Sequence, residues 1–280
     1  MTREDIFQQI KAKQSFLCIG LDTDLDRIPE HLKDTKDPIF EFNKQIIDAT
    51  LPYTVAYKPN LAFYEALGSS GLESLEKTLA YIPTDVFTIA DAKRGDIGNT
   101  SYMYAKSFFE RMNFDAVTLS PYMGHDSILP YLEYKGKWVI ILALTSNEGS
   151  NDFQHLDVAG DHFDFFDVEN KELFEIVIDR CEKLGSSDQI MFVVGATKAK
   201  YLERIRARVP DNYFLIPGVG AQGGDLEEVA KSGMNDHCGL LINASRSIIY
   251  ASKDKDFAEA AAKEALKLQS SMKRMLDRYT

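Results

Sequence analysis

The chain contains 280 residues, of which 45% are hydrophobic and 27% are charged, and its formal net charge is −11. This length suits one large domain or two small ones, and the hydrophobic fraction is sufficient for a sizeable core. The acidic balance argues against nucleic acid or an anionic membrane as the main partner, because both attract basic surfaces. An anionic substrate would need a local positive site to overcome the overall charge.

The sequence carries no apolar stretch of signal-peptide length near its start, and no window approaches the roughly 18 apolar residues of a membrane span. The three cysteines, Cys18, Cys181 and Cys238, are scattered and lie mostly in apolar runs. This distribution predicts buried, reduced thiols and not a disulfide framework or a metal site. We therefore expect a cytoplasmic protein.

Short apolar runs rich in β-forming residues alternate with helical patterns along the chain. The eight predicted strands span residues 16–21, 54–57, 86–90, 116–119, 138–144, 190–194, 213–216 and 239–242. The helical patterns between them span residues 38–50, 72–82, 101–112, 171–184, 198–209 and 225–232, with the weakest pattern at 126–134. A longer amphipathic stretch at about 256–277 predicts a C-terminal helix.

Strands that alternate with helices predict parallel βαβ units, and eight such units can close into a (β/α)₈ TIM barrel of the α/β class. We therefore predict a single barrel domain over residues 1–280. A doubly wound open sheet shows the same alternation and is the alternative fold. The glycine-rich motif of dinucleotide-binding sheets does not follow the first strand, which favours the barrel.

Residues 147–170 interrupt this alternation with many Asp, Asn, Gly and His residues and little helical periodicity. A loop of this length at the top of a barrel is usually functional or a lid, and the alternative is a mobile surface insertion. We interpret its polar side chains as solvated, with a weak metal site as the alternative, at His155, Asp157, Asp161, His162 and Asp164. No zinc-ligand spacing occurs elsewhere, and we predict no metal site.

The densest group of ionisable residues is Asp91-Ala92-Lys93-Arg94-Gly95-Asp96, which directly follows the third predicted strand. Residues i and i+2 of a strand point to the same side, so Asp91 and Lys93 are expected to share one face. That face lies at the carboxyl end of the barrel, where the active sites of such barrels are built. Asp96 lies beyond a turn, near the start of the next helix.

Structural roles are the alternatives for these residues: Asp96 could cap the helix, and Asp91 could form a purely structural ion pair with Lys93. Charged residues directly after a buried strand are costly unless they are paired or functional, which favours catalysis. Asp22 and Lys58 follow the first and second strands and converge on the same rim. Together these residues predict a cluster of alternating carboxylates and ammonium groups.

Two consecutive loops at this rim predict a phosphate site. Residues 217–225 contain four glycines, which let backbone N–H groups approach an anion, and a helix begins just beyond them. Ser245 and Arg246 follow the eighth strand, and Arg246 would supply a charged bidentate donor. Barrel phosphate sites often combine these two loops. The alternatives are an ordinary tight loop and a surface ion pair of Arg246.

The sequence resembles the longer, type 2 form of the orotidine 5′-phosphate decarboxylase family. Asp91-Ala92-Lys93-Arg94-Gly95-Asp96-Ile97 is similar to the specific Asp-x-Lys-x-x-Asp signature of that family. Agreement extends over roughly residues 15–250, at Gly20-Leu21-Asp22, Tyr57-Lys58-Pro59-Asn60, Leu144-Thr145-Ser146, 217–225 and Ser245-Arg246-Ser247. The resemblance implies conversion of orotidine 5′-monophosphate to uridine 5′-monophosphate, the last step of de novo pyrimidine synthesis, by a homodimer without a cofactor.

The resemblance also implies a role for each matching residue. Lys93 would protonate C6 of the pyrimidine, Asp91 would face the departing carboxylate, and Lys58 would complete the charged network. The residues implied to act across the dimer interface are Asp96, Ile97 and Thr100. The residues implied to bind the substrate are Asp22 at the ribose, Ser146 at the pyrimidine, and Pro217, Gly218, Gln222, Gly223, Ser245 and Arg246 around the phosphate. Ser245 departs from the family pattern, which often has Gly there.

Three other functions are compatible with parts of this pattern. A sugar-phosphate decarboxylase that uses Mg²⁺ can carry the same signature, and metal dependence would identify it. A Schiff-base aldolase would use Lys93 or Lys58 as its nucleophile and would be trapped by borohydride. A non-catalytic sensor of phosphoribosyl ligands would bind tightly without turnover.

Overall fold

The computed structural model describes residues 1–158, 171–219 and 224–280. Within these residues there are ten strands, of which eight run parallel and form a closed barrel. The strands are β1 (Leu17–Leu21), β2 (Thr54–Pro59), β3 (Phe87–Arg94), β4 (Ala116–Leu119), β5 (Trp138–Leu144), β6 (Asp157–Val158), β7 (Lys171–Glu172), β8 (Ile190–Val194), β9 (Phe214–Pro217) and β10 (Leu240–Ala244). Strands β6 and β7 form a separate antiparallel pair. Strand β1 closes the barrel by pairing with both β2 and β10. The predicted barrel is confirmed, and the open sheet is wrong.

Helices surround this barrel, and each longer predicted helix is present with its ends shifted by a few residues. The helices are α1 (Arg3–Lys13), α2 (Glu30–Lys33), α3 (Pro38–Thr50), α4 (Leu61–Glu65), α5 (Gly68–Tyr81), α6 (Gly98–Lys106), α7 (Leu129–Leu132), α8 (Leu173–Cys181), α9 (Ala199–Arg208), α10 (Leu226–Gly233), α11 (Arg246–Ile249) and α12 (Phe257–Tyr279). The weak pattern at 126–134 contains only the four-residue α7 and a short 3₁₀ turn.

Helix α1 has no counterpart among the predicted elements. It buries only Ile6 and Ile10, so its apolar pattern is too sparse to predict a helix. Its start is nevertheless well defined, because Thr2 and Asp5 form a reciprocal capping box. Such a box satisfies N–H groups that the first helical turn leaves without partners.

The predicted insertion at 147–170 has more structure at its base than its composition indicates. A 3₁₀ helix spans Glu148–Asp152, and β6 pairs with β7 directly before α8. The helix predicted from residue 171 therefore begins two residues later, at Leu173. Residues 159–170, which include Asp161, His162 and Asp164, lie outside the described part of the chain.

Other sequence-based expectations concern thiols, metal ligands and membrane spans. Cys18, Cys181 and Cys238 are free and buried, as predicted. Within the described ranges, no three His, Cys, Asp or Glu side chains are grouped so that they could hold a metal ion. None of the helices described is both long and apolar enough to cross a bilayer.

The barrel strands are buried almost throughout, as expected of parallel strands covered by helices. Every residue of β1, β8 and β10 is buried. At the amino end of β5, the indole N–H of Trp138 donates to the carbonyl oxygen of Met1 at 2.8 Å. Helix α12 covers α3, where Phe257 stacks on Phe42 with ring centroids 5.1 Å apart. The polar residues near the ends of β1, β2, β3 and β10 lie together at the carboxyl end of the barrel.

A buried hydrogen-bond network anchors the loop that follows β1. The Asn43 carboxamide accepts from Thr23 Oγ1 at 2.5 Å and donates to Tyr64 Oη and Thr78 Oγ1 at 3.0 Å each. Tyr64 Oη in turn donates to the carbonyl oxygen of Leu21 at 3.0 Å. Asn43 on α3 therefore fixes Thr23 directly and Leu21 through Tyr64, and these are the residues on either side of Asp22.

The network predicts the effect of the substitution Asn43→Ala. Loss of the carboxamide leaves buried hydroxyl groups without partners, so we expect the free energy of unfolding to fall by about 3 kcal/mol. Urea denaturation followed by circular dichroism measures this change. The substitution of exposed Asn151 by Ala is the control, with an expected change within about 0.5 kcal/mol. Equal effects of the two substitutions would contradict the anchoring role of Asn43.

Candidate active site

A cavity of about 180 Å³ lies at the carboxyl ends of the barrel strands. The predicted site residues that line it are Asp22, Lys58, Asp91, Pro217, Gly218, Ser245 and Arg246. They come from the ends of five strands that are far apart in sequence, and the barrel topology brings them together. Larger cavities of about 310 and 460 Å³ elsewhere on the described surface contain none of the predicted site residues.

Asp91 forms the centre of the charged cluster because both lysines pair with it. Lys58 Nζ donates to Asp91 Oδ2 at 2.6 Å, and Lys93 Nζ donates to Asp91 Oδ1. The side chains of Lys58 and Asp91 are 5% and 10% exposed, whereas that of Lys93 is 51% exposed. The Lys58 ammonium is therefore enclosed in the barrel mouth, whereas Lys93 is half exposed and is not among the residues that line the cavity.

The electrostatics of the cluster favour the charged form of each partner. Burial alone would raise the pKa of Asp91, but Lys58 and Lys93 outweigh burial and lower this pKa to about 2. Burial alone would lower the pKa of Lys58, but Asp91 and Asp22 outweigh it and raise this pKa. Asp91 is thus a carboxylate and Lys58 an ammonium ion at neutral pH.

The backbone that carries Lys93 is not a regular strand. Lys93 has a φ of +48°, in the left-handed region that residues other than glycine rarely adopt. The pairing of β3 with β4 changes register between Ala90 and Arg94, as in a β-bulge. The predicted contact between Asp91 and Lys93 is present, although it does not arise from simple strand alternation.

Asp22 lies at the end of β1 and contributes to the field around Lys58. Its Oδ1 atom is buried and has no hydrogen-bond partner among the described residues. A buried carboxylate oxygen without a donor is unfavourable unless a ligand or water supplies one. Asp22 therefore offers an acceptor to a hydroxyl or N–H group of a molecule bound in the cavity.

Only the two ends of the loop after β9 lie within the described residues. Gly218 has a φ of +95°, and Val219 pairs with Gly224 across the loop. Asp225 caps α10 by accepting from the N–H groups of Glu227 and Glu228 at 2.8 and 3.3 Å. These two N–H groups of the helix start are therefore satisfied by the protein itself. Gln222 and Gly223 lie outside the described residues.

The loop after β10 places Ser245 and Arg246 at the edge of the cavity. Among the described residues, no carboxylate forms an ion pair with Arg246, so the surface ion pair considered as its alternative role is absent. Gly20 lies against this loop, and a Cβ atom at Gly20 would lie 1.8 Å from Ser245 Oγ. Only glycine at this position of β1 lets Ser245 come so close.

Asp96, Ile97 and Thr100 lie away from this cavity. Ile97 is the N-cap residue of α6 and Asp96 accepts the N–H of Ile97 at 2.8 Å, so the proposed capping role of Asp96 is wrong. No ion pair in the described chain joins Asp96 to Lys93. Ile97 is 48% exposed and Thr100 is also exposed. Ser146 is half-buried at the end of β5, against Gly195, and does not line the cavity either.

Sequence reasoning missed three polar residues at this end of the barrel. Asn243 of β10 lines the cavity, and Thr118 of β4 contacts the β3 bulge. Gln154 accepts from the N–H of Thr145 at 2.8 Å and donates to its Oγ1 at 2.9 Å, which ties the insertion to the end of β5. A polar residue within an apolar strand was the available signal for Asn243 and Thr118. Gln154 carried no signal in a loop that is polar throughout.

The lowered pKa of Asp91 predicts how its contribution to stability depends on pH. Because its pKa is below the usual value of 3.8, ionised Asp91 stabilises the fold above pH 4 and loses this effect as the pH falls towards 2. We expect Asp91→Asn to lower the free energy of unfolding by about 2 kcal/mol more at pH 7 than at pH 2.5. Thermal unfolding at a series of pH values, with Asp34→Asn as an exposed control, measures this. A pH-independent difference between wild type and Asp91→Asn would refute the assignment.

Comparison with known proteins places this geometry in a family. The family model of the orotidine 5′-phosphate decarboxylase / HUMPS family matches residues 15–262. Orotidine 5′-phosphate decarboxylase of Flavobacterium johnsoniae is 56% identical over 280 residues, and that of Phocaeicola vulgatus is 53% identical over 279 residues, each with 99% of both chains covered. The solved structure of Leishmania donovani OMP decarboxylase is 37% identical, with a TM-score of 0.78 over 96% of this chain and 100% of that chain. The chain therefore belongs to the orotidine 5′-phosphate decarboxylase / HUMPS family.

Proposed function

We propose that this protein is a carboxy-lyase that converts orotidine 5′-monophosphate to uridine 5′-monophosphate, the last step of de novo pyrimidine nucleotide synthesis. The observation that carries the proposal is the Lys58–Asp91–Lys93 cluster, of which Lys58 and Asp91 line a cavity that Arg246 also lines. Relatives more than 50% identical over nearly their whole length carry the name of this activity. The cluster supplies a proton donor and fixed charges, and Arg246 supplies the local positive charge that a phosphate requires in an acidic protein.

The chemical step requires a group that stabilises negative charge on carbon. When the bond between C6 and the carboxylate breaks, the electron pair stays on C6 and CO₂ leaves. The pyrimidine ring delocalises this charge poorly, so a fixed positive charge nearby must stabilise it. The Lys93 ammonium, which pairs with the cavity residue Asp91, would do so and would then transfer its proton to C6, which completes the product. Solvent can reprotonate Lys93, because half of its side chain is exposed.

Asp91 has two roles in this proposal. It holds Lys93 by an ion pair, and it presents negative charge towards the carboxylate of the substrate, which raises the energy of the bound ground state. Lys58 keeps Asp91 ionised, as the lowered pKa of Asp91 indicates. All the charges needed for the step come from protein side chains, so the proposal requires no cofactor.

The remaining cavity residues fit the other parts of the nucleotide. The unpartnered Oδ1 of Asp22 would accept a ribose hydroxyl, and Ser146 would bond the pyrimidine edge. The phosphate would lie between the loops after β9 and β10, held by Arg246 and by residues Pro217, Gly218, Gln222, Gly223 and Ser245. Binding energy from the phosphate can then contribute to positioning the ring, although the phosphate does not react.

We further propose that two chains form a homodimer with shared active sites. Asp96, Ile97 and Thr100 lie outside the cavity of their own chain, as residues of a neighbour's site would. Ile97 and Met103 are 48% and 54% exposed on the same helical segment, an apolar surface suited to a partner. The free, buried cysteines support a cytoplasmic location, where thiols stay reduced.

The direct test is the loss of ultraviolet absorbance of orotidine 5′-monophosphate incubated with the purified protein, with and without EDTA. We expect turnover that EDTA does not change. Lys93→Ala should reduce turnover by at least about 100-fold, because it removes the proton donor, while uridine 5′-monophosphate still binds.

Three results would contradict the proposal. Absence of turnover by folded wild-type protein would overturn the assigned reaction and favour a Mg²⁺-dependent sugar-phosphate decarboxylase, and turnover abolished by EDTA would contradict its independence of a metal cofactor. Turnover by Lys93→Ala at the wild-type rate would remove Lys93 from the chemical step.

Arg246 is expected to act on the phosphate and not on the ring. Arg246→Ala should weaken binding of uridine 5′-monophosphate by about 100-fold, because a charged hydrogen bond is lost, with little change for uridine. Isothermal titration calorimetry with both ligands measures the difference. Arg274→Ala, on α12, is the matched control. Unchanged affinity for the phosphorylated ligand would remove Arg246 from the site.

A further inference from the structure

Thr118 lies in β4 beside the β3 bulge that carries Lys93. Its side chain is buried, with 1% of the residue exposed. Its Oγ1 accepts from the backbone N–H groups of Ala92 and Lys93, each at 2.9 Å. The same oxygen lies 3.3 Å from Asp91 Oδ1 and can donate its hydrogen there. One hydroxyl thus contacts three consecutive residues of the charged motif.

These contacts use the full hydrogen-bonding capacity of a hydroxyl group, which has two lone pairs and one hydrogen. The two backbone groups that it binds lie in the stretch between Ala90 and Arg94, where the pairing of β3 with β4 shifts register. Buried N–H groups without partners are strongly unfavourable, so the bulge needs an acceptor at this point. Thr118 supplies it from within the neighbouring strand.

The backbone conformation of Lys93 gives this acceptor its importance. A lysine with a φ of +48° is strained unless its surroundings hold it there. In addition to the hydrogen bonds from Thr118, the ammonium group of Lys93 pairs with Asp91, which Thr118 also contacts. The backbone N–H of Lys93 and its counter-ion Asp91 are therefore both held by the same buried atom, Thr118 Oγ1.

We propose that Thr118 is a positioning residue that holds Lys93 and Asp91 in the relative positions that the reaction requires. The proposal rests on the function assigned above, because it gives Lys93 the role of proton donor. Thr118 itself lies beneath the motif and does not line the cavity. Its effect is therefore on the placement of the reacting ammonium group and not on substrate binding.

The substitution Thr118→Val tests this role, because it keeps the β-branched shape and removes the hydroxyl. We expect kcat to fall by about 100-fold, since a displacement of about 1 Å can have that effect, with KM and the affinity for uridine 5′-monophosphate changed less than about threefold. Thr118→Ser restores the hydroxyl and should recover kcat to within about threefold of wild type.

Thr88→Val is the matched control on the adjacent strand. Thr88 is also buried, and its Oγ1 donates to Asp115 Oδ2 at 2.9 Å and accepts from Asp115 N at 3.0 Å, at the other end of the barrel. This substitution should lower the melting temperature as Thr118→Val does but leave kcat unchanged. If Thr118→Val does not fold, Thr118→Ala takes its place with the same expected loss of kcat.

Three kinetic outcomes would overturn the proposal: wild-type kcat in Thr118→Val or its Ala replacement, an equal loss of kcat in Thr88→Val, or failure of Thr118→Ser to recover kcat.

A crystal structure of Thr118→Val tests the positioning role without depending on which reaction the protein catalyses. We expect Lys93 to leave its left-handed conformation in that variant even if the wild type acts on another substrate. An unchanged Lys93 backbone would refute the positioning role independently of any activity.

Discussion

The burial of Lys58 is the constraint on which the charged end of this barrel depends. An ammonium group that is almost removed from water is tolerated only with a close counter-charge, and Asp91 provides it at 2.6 Å. Asp91 is itself nearly buried, and Lys93 pairs with its second oxygen. Each buried charge is stabilised by the opposite charge beside it, so the three residues depend on one another. Lys93 is the most exposed member of the cluster, with half of its side chain open to solvent.

The rest of the site is arranged around this unit by the barrel and by local hydrogen bonds. Asn43 and Tyr64 secure the end of β1 that bears Asp22, and Thr118 secures the bulge of β3. Asp225 occupies the start of α10 with its own carboxylate. Arg246 lines the cavity and has no carboxylate partner in the described chain, so under the proposed function it, and not that helix start, would attract the phosphate.

Much of this organisation follows from sequence patterns with a direct physical cause. Parallel strands buried on both faces produce continuous apolar runs, so all eight strands could be predicted, and the barrel topology then brings Asp22, Lys58 and Asp91 together. The conformation of Lys93 could not be predicted, because it depends on a hydroxyl group in a different strand. Helix α1 was missed because its stability comes from a cap and from two buried isoleucines. Under the proposed dimer, Asp96 interacts with the partner subunit, so its partners cannot be identified from a single chain.

The close approach at Gly20 has a consequence for ligand size. A Cβ atom there would lie 1.8 Å from Ser245 Oγ and 3.3 Å from Asp22 Oδ1, so both side chains come close to the space that glycine leaves empty. Under the proposed roles, one of them contacts the sugar and the other lies beside the phosphate. Their closeness then depends on glycine at position 20, because a larger residue would push Ser245 away. Under these proposed roles, the cavity would fit a 5′-phosphate and would disfavour ligands in which the sugar and the anion are further apart.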